Sequence, residues 1–288
     1  MNDMLRPSAT SAITAAYEKD GYYFPYDVTS EAEAAGLLAD LEAAEAECAG
    51  DCAKLSLLRS YPSQLLPSYA GLVRHPRLIE AASQIIGRDL LVWSCGFFIK
   101  EAGSKSFVSW HQDLNYWGLD GDAEVTAWVA LTPATVETGC MRFVPGSHLK
   151  RDVHHVDSFA PDNLLTRGQE LAVEVDEANA VNVLLRTGQA SFHHGHIFHA
   201  SGPNTTNARR VGVAIRYVAP SMKQVSGDRL LVSHVSGEDR YAHFEHMPAP
   251  AGRLRDEDWA RAQRNAGMKK DILYQGVKAE RVKANRRG

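Results

Sequence analysis

Strand signals dominate the middle of this chain. From Leu90 to Val218, short runs rich in Val, Ile, Phe and Trp, such as Leu90 to Ile99, are interrupted at short spacings by Gly, Pro, Asn and Asp. Punctuation of this kind argues for an antiparallel barrel or sandwich rather than alternating β and α units. At 288 residues the chain is long enough to bury a sizeable core.

The flanks read differently. Residues 11–20 predict a short helix stopped by Gly21, with Tyr22 to Pro25 as a strand. Ser30, with Glu33 three residues on, forms a capping box for a helix reaching about Cys48, whose apolar stripe is Leu37, Leu38 and Leu41. Residues 50–75, holding Pro62 and Pro67, read as loop, and Pro76 opens a helix that runs through Ile86 to Gly87. Beyond the core, Arg151 to Glu170 reads as an irregular connection suited to a lid or binding loop. Val173 to Val175 and Val181 to Leu184 read as strands, Arg229 to Val235 as a last extended segment, and the chain from Asp256 as helix. From Met268 it turns basic, with Lys269, Lys270, Lys278, Arg281, Lys283, Arg286 and Arg287. Its last ten residues read as a solvated or disordered tail in preference to a partner helix in a homo-oligomer.

Composition excludes several classes of partner. A net charge of −4, with 23% charged residues, gives no basic face for phosphate recognition, so no nucleic acid is expected. The N-terminus has no apolar signal region and no run approaches a membrane span, so a cytoplasmic protein without membrane attachment is expected. Cys48, Cys52, Cys95 and Cys140 fit a reducing compartment, and Cys48 with Cys52 lacks the companions a zinc site needs.

Chemistry concentrates in two clusters. Ser109 to Gly118 contains His111-Gln112-Asp113, and in an extended strand His111 and Asp113 would share a face while Gln112 points away. With 12 histidines such a triplet arises by chance roughly half the time. It gains weight from Phe192 to Asn204, which offers His193, His194, His196 and His199 as a further ligand. Two histidines and one carboxylate on one face of a metal suit non-heme Fe(II) oxygenases.

His111-x-Asp113, Trp128 within Thr126 to Leu131, Gly139 to His148, His199 to Asn204 and Arg210 together resemble the phytanoyl-CoA dioxygenase superfamily of Fe(II)- and 2-oxoglutarate-dependent oxygenases. The likeness runs from about Asp20 to about Pro220. It implies a mainly β fold with flanking helices, a double-stranded β-helix of the jelly-roll, cupin-like kind. The implied organisation is one oxygenase domain over residues 1–288: an N-terminal region 1–88, a core 89–220 with an insert at 151–170, and a helical extension 221–288. Implied ligands are His111, Asp113 and His199, with His196 as the rival for the third place. The implied cofactors are Fe(II), 2-oxoglutarate as cosubstrate, and O2. Arg210 would grip the far carboxylate of 2-oxoglutarate through its planar guanidinium, with Ser201 and Trp128 beside it.

Arg210, Gly212, Ala214 and Arg216 fall on one face of their strand. Arg216 therefore suits either an anionic substrate group or a structural ion pair, and Lys100, Gln112, Asn115 and Tyr116 are further candidates for the substrate pocket. His194 and His196 are expected nearer the site than His193. Carrier-dependent halogenases also resemble this chain, but have Ala or Gly where it has Asp113, so oxygen insertion is expected rather than halogenation. The implied reaction is hydroxylation of an unactivated C–H bond in a small polar metabolite, with release of succinate and CO2. Desaturation or cyclisation by the same oxidation, and a non-catalytic cupin-like binding protein, are the alternatives.

Overall fold

The computed structural model describes residues 11–273, apart from 152, 159, 161, 166–167 and 226–228. Of the basic C-terminal residues, Lys278, Arg281, Lys283, Arg286 and Arg287 lie outside the described residues. Strands are numbered in chain order. The larger sheet runs in space β1 (Tyr22–Asp27), β9 (Gln189–His193), β4 (Glu124–Ala130), β11 (Arg210–Val218), β2 (Leu90–Lys100), β12 (Leu231–Ser236), β13 (Glu245–His246), antiparallel except for the last pair. The smaller sheet runs β3 (Val108–His111), β10 (His199–Ser201), β5 (Met141–Phe143), β8 (Val181–Asn182). A two-stranded ladder, β6 (His155–Asp157) with β7 (Gln169–Leu171), lies within the connection after β5. The two main sheets make the jelly roll that the family likeness implied.

Alternation along β11 divides its neighbours. Val211, Val213, Ile215 and Tyr217 enter an apolar cluster with Val125, Ala127 and Val129 of β4, on the face covered by helices. That layer comprises α1 (Ala12–Asp20), α2 (Glu31–Glu47), α3 (Cys52–Ser60), α4 (Pro62–Leu65), α5 (Pro67–Leu72) and α6 (Pro76–Ile86). Each fully buried Val or Ile there contributes about 1.5–3 kcal/mol over an exposed one. Tyrosine hydroxyls tie helices and loops to the sheet: Tyr17 donates to the Glu124 carbonyl at 2.6 Å and Tyr217 to that of Val73 at 2.9 Å. The opposite face, toward the smaller sheet, carries Trp128 and Ala214 against Phe143 and Ile197. That inner face holds the site.

The expected capping box of α2 is present, with Ser30 Oγ accepting from Glu33 N–H and the Glu33 carboxylate accepting from Ser30 N–H at 2.8 Å. Residues 50–75 correct the loop expectation, because they form α3, α4 and α5. Asp51 caps α3, and Pro62 and Pro67 each occupy the first turn of a helix, where a missing N–H costs nothing. The strand expected at Val173 to Val175 lies instead at Gln169–Leu171, where β6 supplies a pairing partner; Val173 is 45% exposed. The connection Arg151 to Glu170 is thus partly a β-ladder. Finally α7 (Asp256–Leu273) packs Trp259 and Ala262 into the main core. No described helix is long and apolar enough to cross a membrane.

Candidate metal centre

Antiparallel pairing of β3 with β10 sets His111 directly opposite His199. Their rings therefore lie side by side, with centroids 3.9 Å apart. Asp113 arrives differently from the strand alternation expected of it. The strand stops at His111, and Asp113 turns into the helical region (φ −73°, ψ −48°) at the head of a short 3-10 turn. Its N–H donates to the Gly195 carbonyl at 2.7 Å, which ties this turn to the segment leading into His199. The result places Asp113 Oδ1 3.3 Å from His111 Nε2. Ligand atoms of His111, Asp113 and His199 all lie within 4.8 Å of one another, and among the described residues no other cluster of His, Cys, Asp or Glu does so.

Hydrogen bonding prepares both imidazoles as ligands. His111 Nδ1 lies 2.9 Å from the Ser109 carbonyl and His199 Nδ1 3.1 Å from that of Ile197, so each Nδ1 carries the proton and each Nε2 offers its lone pair to the cavity. Burial, then the neighbouring His111, hold the His199 pKa well below the usual imidazole range. For Asp113 burial opposes ionisation, but Arg216 and the two histidines outweigh it and hold its carboxyl well below the usual carboxylate range. Two imidazoles and one carboxylate, all buried, form a donor set suited to a divalent first-row metal. His196 stands apart, its ring 5.6 Å from that of His194.

A cationic cradle adjoins the triad. Arg210, 2% exposed, donates from Nη1 to the Gly139 carbonyl at 2.6 Å and lies 5.3 Å from the Trp128 ring centroid. Gly212 permits this stacking, since a Cβ there would meet Trp128 Cζ2 at 1.9 Å. Lys100 pairs with Arg210 across β2 and β11 and donates to Ser201 Oγ at 2.7 Å and to the Gly202 carbonyl. Burial, then Arg210, push the Lys100 pKa down to about 7, and burial pushes that of Arg210 down to about 10. Among the described residues neither cation forms an ion pair with a carboxylate.

The other expected pocket residues divide. Arg216 borders the cavity, its Nη2 3.5 Å from Asp113 Oδ2, and Tyr116 borders a wider chamber next to it. Gln112 points away and its amide donates to the carbonyls of Lys150 and His196 at 2.7 and 2.8 Å. Asn115 donates outside the cavity to the Val153 carbonyl at 3.0 Å. The order expected among the histidines is reversed. Alternation along β9 turns His193 toward the cavity, 5.2 Å from the His199 ring, whereas His194 faces Glu124 at 3.6 Å on the other side. Thr126, two residues before Trp128 on the same face of β4, also lines the cavity, and that spacing was the sequence signal for it. Lys269 of α7 lines the wider chamber. No local pattern marks it, because its neighbours come from distant parts of the chain.

The model of the phytanoyl-CoA dioxygenase (PhyH) family matches residues 17–212. The chain belongs to the phytanoyl-CoA dioxygenase family. Within that family it is 30% identical over 148 residues to the ectoine dioxygenase of Bordetella parapertussis, covering 46% of this chain and 47% of the relative. The chain thus spans about half the length of the first curated relatives it matches. Among solved structures it is similar to the non-heme monooxygenase ThoJ without metal (TM-score 0.83, 32% identity, 92% of this chain and 98% of that one). The nickel complex of ThoJ gives a TM-score of 0.79 at 31% identity, over 92% of this chain and all of that one (100%). The non-heme alpha ketoglutarate dependent epimerase SnoN is more distant (TM-score 0.59, 26% identity, 76% of this chain and 86% of that one).

Proposed function

We propose that this family member is an Fe(II)- and 2-oxoglutarate-dependent dioxygenase that hydroxylates an unactivated C–H bond of a small polar metabolite. The observation that carries the proposal is the juxtaposition of three metal-ready donors with a buried cationic cradle that has no carboxylate counter-ion among the described residues. His111, Asp113 and His199 would hold the metal. Arg210, Lys100 and Ser201 would hold the far carboxylate of 2-oxoglutarate, whose charge offsets the two buried cations. Lys100 thereby moves from the substrate side, where its sequence position put it, to the cosubstrate side. Ectoine dioxygenases and an L-proline trans-4-hydroxylase among the relatives support a small polar substrate.

When bound, iron and cosubstrate supply the oxidation: dioxygen and 2-oxoglutarate become succinate, CO2 and one oxygen atom inserted into the C–H bond. The chain supplies placement. Backbone carbonyls of Ser109 and Ile197 fix each imidazole in one tautomer and orientation. As a ligand, Asp113 would leave no place for a halide, which favours hydroxylation over halogenation. Trp128 walls the cavity and keeps Arg210 aimed along it. Free cysteines at Cys48, Cys95 and Cys140, all buried, favour a cytoplasmic enzyme.

Anaerobic addition of Fe(II) and then 2-oxoglutarate should produce the weak visible charge-transfer band of the chelate. In Arg210→Ala the 2-oxoglutarate needed for half-formation should rise by about 30-fold or more, with the iron requirement within about threefold of wild type. Iron binding without the band, or an unchanged cosubstrate requirement in Arg210→Ala, would rule out this use of the cradle.

A further inference from the structure

The chamber beside the metal centre has aromatic walls, and beyond the metal-ligand triad its charged side chains are cations. It encloses about 200 Å³ and shares Phe98, His111, Asp113 and Arg216 with the inner cavity. Trp93 and Trp117 stack along one side with centroids 5.1 Å apart. Lys269, only 7% exposed, reaches in from α7, its Nζ donating to the Trp93 carbonyl at 2.6 Å and lying 4.3 Å from the Trp93 ring centroid. Among the described residues it forms no ion pair. One hydrogen bond leaves two ammonium hydrogens to place. Burial, then the charge of Arg216, bring its pKa down to about 7, as befits an ammonium that lacks a counter-ion.

Arg216 enters the same chamber from β11. Its ion-pair partner is Asp113, a carboxylate whose charge a bound metal would share. Its buried Nε has no hydrogen-bond partner. A cationic ligand would meet two like charges here, whereas an anion would offset both. Lys269 lies outside the residues 17–212 matched by the family model and reaches the chamber from α7.

We propose that this chamber selects a small substrate bearing a carboxylate, seated between Lys269 and Arg216, with the rest of the molecule against Trp93 and Trp117. The proposal rests on the assigned oxygenase activity only in taking the chamber to be the substrate's. Lys269 is then a specificity-determining residue delivered by a helix distant in sequence from the metal ligands. Asn265, on the same helix, donates to the Leu231 carbonyl at 3.2 Å and anchors α7 to β12.

Benzoate, benzamide and benzylamine share a ring and a size and differ in charge. Their binding to the full-length protein, without iron or 2-oxoglutarate, can be followed by quenching of tryptophan fluorescence and by calorimetry. Benzoate should bind about tenfold or more tighter than benzamide, with benzylamine weakest. In Lys269→Met the benzoate preference should shrink to about threefold or less, with benzamide affinity unchanged. Benzamide or benzylamine binding as tightly as benzoate, none of the three binding, or a preference that survives Lys269→Met would each overturn the proposal. Where Lys269→Met does not fold, Arg210→Ala decides: a benzoate preference kept in that variant belongs to this chamber, and a preference lost with it belongs to the cosubstrate cradle and overturns the proposal. Because no iron or cosubstrate is present, a charge preference without a chelate band would defeat the oxygenase activity alone. A band without the preference would defeat the anion site alone.

Discussion

Each imidazole of the proposed metal centre is committed at Nδ1 to a backbone carbonyl, so the centre depends on strand geometry as much as on side chains. Asp113 is the member whose loss leaves the most behind. Its removal takes away one proposed ligand and the partner of Arg216, and leaves a buried guanidinium without its carboxylate. Asp113→Ala should weaken Fe(II) binding by about 100-fold or more and abolish hydroxylation, while equilibrium dialysis reads the metal and succinate release reads turnover. Near-normal succinate release coupled to product in that variant would remove Asp113 from the ligand set. His111, Asp113, His199 and Arg210 stood out in the sequence through the family likeness, which acts on short segments, whereas strand periodicity did not place Asp113, which reaches His111 from a 3-10 turn. The inward turn of His193 was not legible, since the phase of β9 is fixed by its pairing with β4, Thr126 opposite His193. Lys269 was less legible still. Its role depends on where α7 docks, and nothing near position 269 encodes that.

At the scale of elements, β11 carries the division of labour. One face packs Val211, Val213, Ile215 and Tyr217 under the helices, and the other presents Arg210, Gly212, Ala214 and Arg216 to the cavities. Gly212 is the tightest point on this strand. Gly212→Ala would drive a methyl into the Trp128 indole, whose ring steers Arg210, and β4 and β11, paired side by side and buried around this point, have little room to retreat. The variant should fold with a melting temperature lowered by about 5 °C and need about tenfold more 2-oxoglutarate. Wild-type cosubstrate affinity in a folded Gly212→Ala protein would show that Trp128 does not position Arg210. The strand's alternation could be read from sequence because the pattern is strict over the eight residues Arg210 to Tyr217. The helices at 52–72 could not, because Pro62 and Pro67 signal either a loop or a helix start, and only packing against the sheet selects the second.

For the whole molecule, the buried histidines make stability a function of pH. Burial first, with neighbouring charges secondary, holds His194 down to about 3, and His155 and His193 down to about 4. In the unfolded chain each would titrate near 6.5, so between about 4 and 6.5 the unfolded state binds more protons than the folded one. Stability is therefore fully present above about 6.5 and is lost as pH falls toward 4. Glu124 acts in the opposite sense. Burial raises its pKa well above the usual carboxylate range, so in the folded state it keeps a proton that it would release when unfolded, and its contribution weakens as pH rises above about 4.5. Three imidazoles against one carboxyl leave the histidines dominant on the acid side. The metal-free protein should thus melt at a temperature about 5 °C or more lower at pH 5 than at pH 7, measured by calorimetry at constant ionic strength. Glu124→Gln should steepen that dependence, because glutamine keeps an acceptor for the Gly195 N–H, bonded at 2.6 Å, while removing the opposing proton. A melting temperature equal or higher at pH 5 would mean that these imidazoles take up protons without unfolding. Their burial would then not be what holds them neutral.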